Sequence, residues 1–180
     1  GGVGRAAIDV ARALGASVIA AASSPERVAA CVEAGAVAGI DYSADDLKTR
    51  AREIARTGGS TSGGVDVVVD PVGGDRSEAA LRSLGADGRH LVIGFAGGAI
   101  PNLPANQILL RNRRVVGVDW GAWMLANPGP QRRLLEELLA MVSAGRRHPP
   151  EPEVRPLDEA GAALADLLAG RVTGKVSLVP

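Results

Sequence analysis

The chain opens Gly1-Gly2-Val3-Gly4-Arg5-Ala6-Ala7-Ile8-Asp9-Val10-Ala11-Arg12-Ala13-Leu14, and the reading of this stretch decides the fold. Four small residues run directly into a segment with helical spacing. Val3, Ala7, Val10 and Leu14 share one stripe of a 3.6-residue period, with alanines beside it, and Gly15 is a good stop. Small residues let a backbone approach an anion closely. A helix N-terminus presents unpaired N–H groups and a partial positive charge. Together these make the second half of a diphosphate-binding turn. The full turn has a hydrophobic strand immediately upstream and a further small residue three positions before its last pair of glycines. Neither stands in this sequence, so the expectation is a fragment that begins inside its phosphate loop.

Outward from that turn, strands and helices alternate. Residues 17–22 read as a short buried strand. Ser24-Pro25 opens a helix to about residue 34, with serine as N-cap and proline in the first turn. Residues 37–41 form a weaker strand. Ser43, with Asp46 three positions on, resembles a capping box for a helix to about residue 56. Residues 58–64 are a polar loop. The clearest strand is Val65-Asp66-Val67-Val68-Val69-Asp70, β-branched and bounded by Gly64 and Pro71. There follow a helix at 75–84, a strand at 89–94, a glycine- and proline-rich loop at 94–104, a short helix near 106–110 and a strand at 114–119. Residues 130–144 are an amphipathic helix with Leu134, Leu135, Leu138, Met141 and Val142 on its apolar side. A proline-rich crossing at 146–156 leads to a helix at 158–169, stapled by Leu157, and a final strand at 175–179.

Such alternation gives an α/β fold, a Rossmann-type doubly wound parallel sheet covered on both faces and truncated before its first strand. Ligands of this architecture lie beyond the carboxyl ends of the strands. The loops there are residues 1–4, 22–27, 41–42, 70–74, 94–98 and 120–121, all rich in small or polar residues.

Composition narrows the function. At 180 residues the chain is large enough for one domain with a real core. Only 2% of it is aromatic against 46% apolar, so alanine and the aliphatics fill the interior. Twenty acids balance 20 bases, which argues against a nucleic-acid or anionic-membrane surface. Cys31 is the single cysteine, so there is no internal disulfide and no multi-cysteine metal site. No apolar run approaches a membrane span. The expected setting is cytoplasmic.

The second strand discriminates between dinucleotides. NAD binders place an acid at its end, about 20 residues after the glycines, to hold the ribose 2′-hydroxyl. Here the sequence is Ala20-Ala21-Ala22-Ser23-Ser24. Ser23 and Ser24 can donate hydrogen bonds to a 2′-phosphate, and Arg27 lies one turn into the next helix. A carboxylate would repel that phosphate and an arginine pairs with it, which favours NADPH over NADH. Glu26 weakens the local positive field, and Ser24 has the competing role of N-cap.

Gly1-Gly2-Val3-Gly4, Val65-Asp66-Val67-Val68-Val69-Asp70-Pro71-Val72-Gly73-Gly74, Gly88-Arg89-His90-Leu91-Val92-Ile93-Gly94-Phe95-Ala96 and Thr173-Gly174-Lys175-Val176 occur in that relation. In this order they resemble the medium-chain dehydrogenase/reductase superfamily, and most of all its zinc-free quinone oxidoreductase branch. Ile100-Pro101 through Leu109-Leu110, Val115-Val116-Gly117-Val118 and Trp120-Gly121 strengthen the resemblance, which covers essentially the whole chain. It implies diphosphate binding at Gly1, Gly2, Val3 and Gly4. The 2′-phosphate would lie near Ser23, Arg27 and Tyr42, with Arg171 contributing. Val72, Gly94, Phe95 and Ala96 would approach the cofactor from the last strands. Asp119 departs from the aromatic or aliphatic residue common before this tryptophan.

The resemblance further implies a dinucleotide-binding domain over residues 1–150. Residues 151–180 would pack partly with an N-terminal GroES-like catalytic domain that this sequence does not contain. The fragment is therefore expected to be unstable or oligomeric by itself. The strand at 114–119 would pair with its copy in a homodimer. Substrates implied are small quinones, enones or enoyl thioesters. The alternative from another class is a non-catalytic nucleotide-binding remnant. A short-chain dehydrogenase is disfavoured because Tyr42 lacks a lysine four positions later, and a methyltransferase by the missing acid after the second strand.

No acid/base residue announces itself for hydride transfer. His90 sits inside a buried strand and reads as structural. His148 lies in the proline-rich crossing and reads as solvated, and Cys31 as a small core residue. Asp70 has two open roles, touching a ribose or capping the next turn. The basic run 111–114 reads as a solvated turn. Trp120 and Trp123 border either the nicotinamide, a subunit contact or simple packing.

Overall fold

The computed structural model describes residues 1–172 and 174–180; Thr173, part of the C-terminal motif quoted above, lies outside the described residues. Helix α1 (Gly2–Ala13) begins inside the glycine turn, three residues before its expected start, and Gly1 is its N-cap. The Arg5 N–H donates to the Gly1 carbonyl at 3.0 Å. Ile8 is the helix's buried residue and packs against Ala20 and Ala36. Val3 and Leu14 of the expected stripe stand exposed. Strand β1 (Ile19–Ala22) follows, with Ala20 buried against Ile8.

Strand β2 (Ala38–Asp41) pairs with β1 in parallel, Ala22 opposite Asp41. Between them α2 (Pro25–Glu33) starts at the expected Ser24 cap, whose hydroxyl accepts the Arg27 N–H at 3.3 Å. Helix α3 (Leu47–Thr57) departs from expectation at its cap. Asp46 accepts the Thr49 N–H at 2.8 Å, while Ser43 does not cap the helix. Asp41 Oδ1 takes both the N–H and the hydroxyl of Ser43, at 2.9 and 2.6 Å. An Asx turn thus captures the serine before the helix begins.

Strand β3 (Val65–Asp70) has the bounds its sequence indicates. Helix α4 (Arg76–Ser83), strand β4 (Leu84–Val92), helix α5 (Ala105–Leu109) and strand β5 (Arg114–Gly117) complete a parallel three-stranded sheet in the order β3-β4-β5. β4 starts five residues early because its register shifts between Val65 and Val67, with Asp87 in a left-handed conformation at φ 58°. β5 ends at Gly117, two residues short of the expected edge strand. The run at 111–114 is not a solvated turn throughout. Arg113 is buried and donates to the carbonyls of Gln107 and Leu84 at 2.9 and 3.0 Å. Buried carbonyls need donors when water is excluded, and this guanidinium supplies them to α5 and to the start of β4.

Helices α6 (Trp120–Ala126) and α7 (Pro128–Ser143) follow. Within the expected crossing, Glu153–Pro156 forms strand β6, and a 3₁₀ turn (Leu157–Glu159) leads into α8 (Ala160–Leu168). Leu157 is exposed rather than a staple. Strand β7 (Val176–Val179) pairs with β6 in parallel, Pro156 opposite Val179. Proline is tolerated at the end of an edge strand, where its missing N–H breaks no interior ladder. Among the described residues every strand pair is parallel. The sheets are three, β1-β2, β3-β4-β5 and β6-β7, and β1 and β3 are not hydrogen-bonded to each other. Asp9 on α1 holds the crossing by accepting from Arg147 Nε at 2.8 Å and from the His148 N–H at 3.0 Å.

Candidate cofactor site

Connectivity puts the glycine turn at the carboxyl rim. α1 runs down its strand, turns through residues 14–18, and β1 returns. The N-terminus of α1 and the end of β1 therefore share one edge, joined by the end of β2 through the parallel pairing. The β1-β2 and β3-β4-β5 sheets approach each other at this edge as well. Tyr42, just after β2, lies under the Arg76 guanidinium, which starts α4 after β3; the separation is 4.3 Å from Cζ to the ring centroid. At the turn itself, Gly1 and Gly4 have nothing within 4 Å of where a Cβ would stand. The backbone there is open to an incoming group. The first N–H groups of the helix have no intrahelical partners. Lys175 reaches the same place, its Nζ 3.8 Å from the Cβ position of Gly2.

Beyond β1, Arg27 donates from Nη1 to the Ser23 hydroxyl at 3.1 Å, so two of the expected residues are already joined. Ser24 is occupied as the cap of α2. Tyr42 is fixed by its N–H, which donates to the Ala22 carbonyl at 3.0 Å, beside Ser23. The C-terminal segment comes to the same corner, with Nη2 of Arg27 3.9 Å from the Cβ position of Gly170. The neighbouring Arg171 is not free. Its Nε and Nη2 both donate to Asp166 Oδ1, at 2.9 and 2.7 Å, while Arg155 holds Oδ2 at 2.8 Å. These two arginines hold the Asp166 carboxyl below its usual range, first through Arg155 and then Arg171. Two carboxylates oppose the positive charge here. Glu26 is held ionised by its bond to Ser24 and by its own backbone N–H. Asp41 lies close enough to press against that ionisation.

Beyond β3 the rim is built differently. Asp70 Oδ1 accepts the N–H groups of Val72 and Gly73 at 3.0 and 2.9 Å. Its Oδ2 accepts from the Ser77 hydroxyl at 2.7 Å and from His90 Nε2 at 3.1 Å. Of the two roles open to Asp70, the structure shows capping, and both oxygens are engaged. His90 is fully buried, as its strand position indicates, and its Nδ1 has no partner. Burial opposes ionisation of Asp70. Bonds from His90, Gly73, Ser77 and Val72 overcome it and hold the carboxyl well below the usual range.

This anchored turn carries the next loop. The N–H groups of Ala96 and Gly97 donate to the carbonyls of Pro71 and Val72 at 3.1 and 2.8 Å, and Gly74 N–H donates to Ala99 at 2.9 Å. Gly73, at φ +70°, has no room for a side chain, since a Cβ would stand 2.8 Å from Phe95 Cδ1. Val72, Gly94, Phe95 and Ala96 are thereby brought into one loop pair. Beside it an open cleft of about 550 Å³ is lined by residues 92–95 and 117–121. Trp120 borders that cleft and stacks on Trp123 with centroids 5.2 Å apart. Neither the Ser77–Asp70–His90 group nor the Arg76–Tyr42 contact has a sequence signal. The partners lie 7, 20 and 34 positions apart on different elements, and no motif spacing joins them. Among the described residues no group of three or more His, Cys, Asp or Glu is placed to hold a metal.

Comparison with known proteins agrees with this geometry. The sequence profile described as "Zinc-binding dehydrogenase" matches residues 2–142. The chain is 41% identical over 179 residues to the "Quinone oxidoreductase-like protein 2" of Bos taurus, covering 99% of itself and 50% of that protein. It is also 32% identical to a "Mycocerosic acid synthase-like polyketide synthase" of Mycobacterium tuberculosis, covering 99% of itself and 8% of that protein. The Escherichia coli quinone oxidoreductase, solved in complex with NADPH, superposes with a TM-score of 0.83 at 27% identity, over 100% of this chain and 54% of that one. The chain thus spans about half the length of the quinone oxidoreductase-like relatives it matches. With parallel strands, a glycine turn opening α1 and a matching profile over most of its length, this chain belongs to the zinc-binding dehydrogenase family of the medium-chain dehydrogenase/reductase superfamily, on its quinone oxidoreductase-like side.

Proposed function

We propose that this chain is the NADPH-binding part of an oxidoreductase that reduces quinones or activated alkenes. The observation that carries the reading is the open glycine turn at the head of α1, where Gly1 and Gly4 meet nothing within 4 Å. That cradle fits a diphosphate, because a side chain at either position would occupy the approach and the free N–H groups would bind the oxygens. The Ser23–Arg27 pair beside Tyr42 fits a 2′-phosphate, and an acid that would choose NADH is missing from the end of β1. NADPH bound in this way supplies a hydride from C4 of its nicotinamide.

The chain's own residues bind, orient and exclude water. Gly1, Gly2, Val3 and Gly4 hold the diphosphate. Ser23, Ser24, Arg27 and Tyr42 hold the adenosine end, with Arg171 in reserve behind Asp166. Val72, Gly94, Phe95 and Ala96 line the other end. Asp70 sets their position through the turn it caps and donates no proton, because both its oxygens are acceptors in the buried network. Residues 1–150 act as the dinucleotide-binding domain, and 151–180 as the segment that packs with a second domain. β5, the edge strand of its sheet with Val115 and Val116 exposed, fits pairing with a second copy.

The test is fluorescence titration of the full-length protein with NADPH and NADH. Tighter binding of NADPH by roughly tenfold or more is expected, the worth of a charge-assisted contact to the 2′-phosphate. Equal affinities, or a preference for NADH, overturn the cofactor assignment. A second reading, reduction of enoyl thioesters, is favoured by the similarity to the mycobacterial polyketide synthase. Steady-state comparison of a quinone with an enoyl thioester separates the two.

A further inference from the structure

Arg76 stands in an unfavourable place for an arginine. It is the first residue of α4, where the partial positive charge of a helix N-terminus repels a cation. Among the described residues no carboxylate lies within 4 Å of it, whereas its helical neighbour Arg82 has Glu78 at 3.6 Å. Its backbone is not free to move away from the rim. Ser77, the next residue, is buried and bonded to Asp70 at 2.7 Å. What the guanidinium has is the face of Tyr42, 4.3 Å away. Tyr42 is itself held against the end of β1, next to the Ser23 that Arg27 bonds. A cation over a tyrosine face is weakly stabilised when exposed, which offsets only part of the cost of its position.

We propose that Arg76 is a specificity-determining residue for a phosphorylated adenosine ribose, adding positive charge to that of Arg27 and holding the Tyr42 ring beside the end of β1. The proposal rests on the dinucleotide reading above and adds a residue that the family resemblance does not supply. The placement explains why the charge is kept where its helix disfavours it. Arg27 has Glu26 beside it in sequence, and Asp41 lies close enough to Glu26 to act on it, so an anion at this corner meets two carboxylates as well as the Arg27 guanidinium. A second guanidinium on the Tyr42 ring restores a positive field at that corner. NADH, which lacks the extra phosphate, gains nothing from it.

The experiment uses the full-length protein and measures dissociation constants for NADPH and NADH, with 2′,5′-ADP as a competing probe, for the wild type, Arg76→Gln and Arg76→Lys. Arg76→Gln is expected to weaken NADPH and 2′,5′-ADP roughly tenfold and to change NADH by less than about twofold. Added salt should narrow the gap, because the contact is at the surface. Arg76→Lys should recover part of the affinity, since lysine keeps the charge but not the flat stacking group. An equal loss for both dinucleotides would make Arg76 a packing residue and overturn the proposal. So would an Arg76→Gln protein that keeps wild-type affinity for NADPH. In that last case a wild type that still prefers NADPH leaves the dinucleotide reading standing. A wild type that binds neither dinucleotide removes both.

Discussion

The two ends of the rim are held together by different physics. At the Asp70 end, a carboxylate with a half-buried environment gathers four donors, and a fully buried histidine stands behind it. That turn is built from the chain's own groups, and it carries the 94–99 loop with it. At the Ser23 end the contacts are exposed, made by long side chains, and shared between arginines and acids. Buried, fully used hydrogen bonds resist rearrangement, whereas exposed ion pairs contribute little and respond to salt. The first end should therefore govern stability and the fit of the cofactor's reactive ring. The second should govern which dinucleotide is chosen.

The largest effect is expected from Asp70→Asn. The amide oxygen can keep the Val72 and Gly73 donors, but its NH₂ cannot accept from Ser77 and His90. The buried His90 N–H then loses its acceptor and the Ser77 hydroxyl keeps the contact only by turning to accept, so a charge-assisted bond is lost at each, at about 1–3 kcal/mol apiece. A loss of about 2–4 kcal/mol in thermal or urea unfolding is expected. The pH dependence has a definite sign. The folded carboxyl lies below its unfolded value of about 3.9, so its stabilisation is complete at neutral pH and fades as pH falls below about 5. The gap between wild type and Asp70→Asn should close on acidification. A gap that widens instead would mean that Asp70 is not the ionised hub.

Gly73→Ala breaks the same end more gently. Its φ of +70° disfavours any side chain, and the added methyl would meet Phe95 Cδ1 at 2.8 Å and the Ala99 carbonyl at 3.1 Å. A cost of about 1–3 kcal/mol is expected, together with weaker binding of both dinucleotides alike, because the Phe95 loop must move. A stability unchanged in thermal unfolding would show that the two loops are not locked together.

The sequence made the two ends unequally legible. Val65–Asp70 was readable to the residue because four valines and two aspartates run between Gly64 and Pro71 without a competing helical period. Ser24 was readable as a cap because proline follows it. The Asp70 hub was not, since its partners come from α4 and β4 and meet only when the sheet forms. Asp41 took Ser43 away from its expected cap by a bond two residues long, a local competition that spacing rules do not weigh. β6 was hidden by the prolines at 152 and 156, one just before the strand and one its last paired residue. Arg113 was misread because charge suggests solvent, whereas backbone carbonyls draw this guanidinium inside through Nη1 and Nη2 and leave its buried Nε without a partner.

At the adenosine end, Arg27→Gln is expected to leave stability within about 0.5 kcal/mol, as for an exposed side chain. It should weaken NADPH roughly tenfold while sparing NADH. Titration of the variant with both dinucleotides checks this. Similar losses for both would mean that the arginine only steadies Ser23, whose hydroxyl it bonds at 3.1 Å.

The smallest effect should come from Arg171, and the reason lies in what already holds it. Its guanidinium is exposed and spends both Nε and Nη2 on Asp166. To reach a phosphate it would have to leave that carboxylate or share it with Arg155. An exposed pair contributes only about 0.2–1 kcal/mol, so Arg171→Gln should weaken NADPH by no more than about threefold. Asp166→Asn gives the opposite sign. It removes the competing negative charge, frees Arg171 toward the corner where Arg27 approaches Gly170, and should tighten NADPH by about twofold. If titration shows Asp166→Asn weakening NADPH instead, the Arg155–Asp166–Arg171 cluster is a brace for the C-terminal segment, and the choice between dinucleotides rests on the residues around Tyr42 alone.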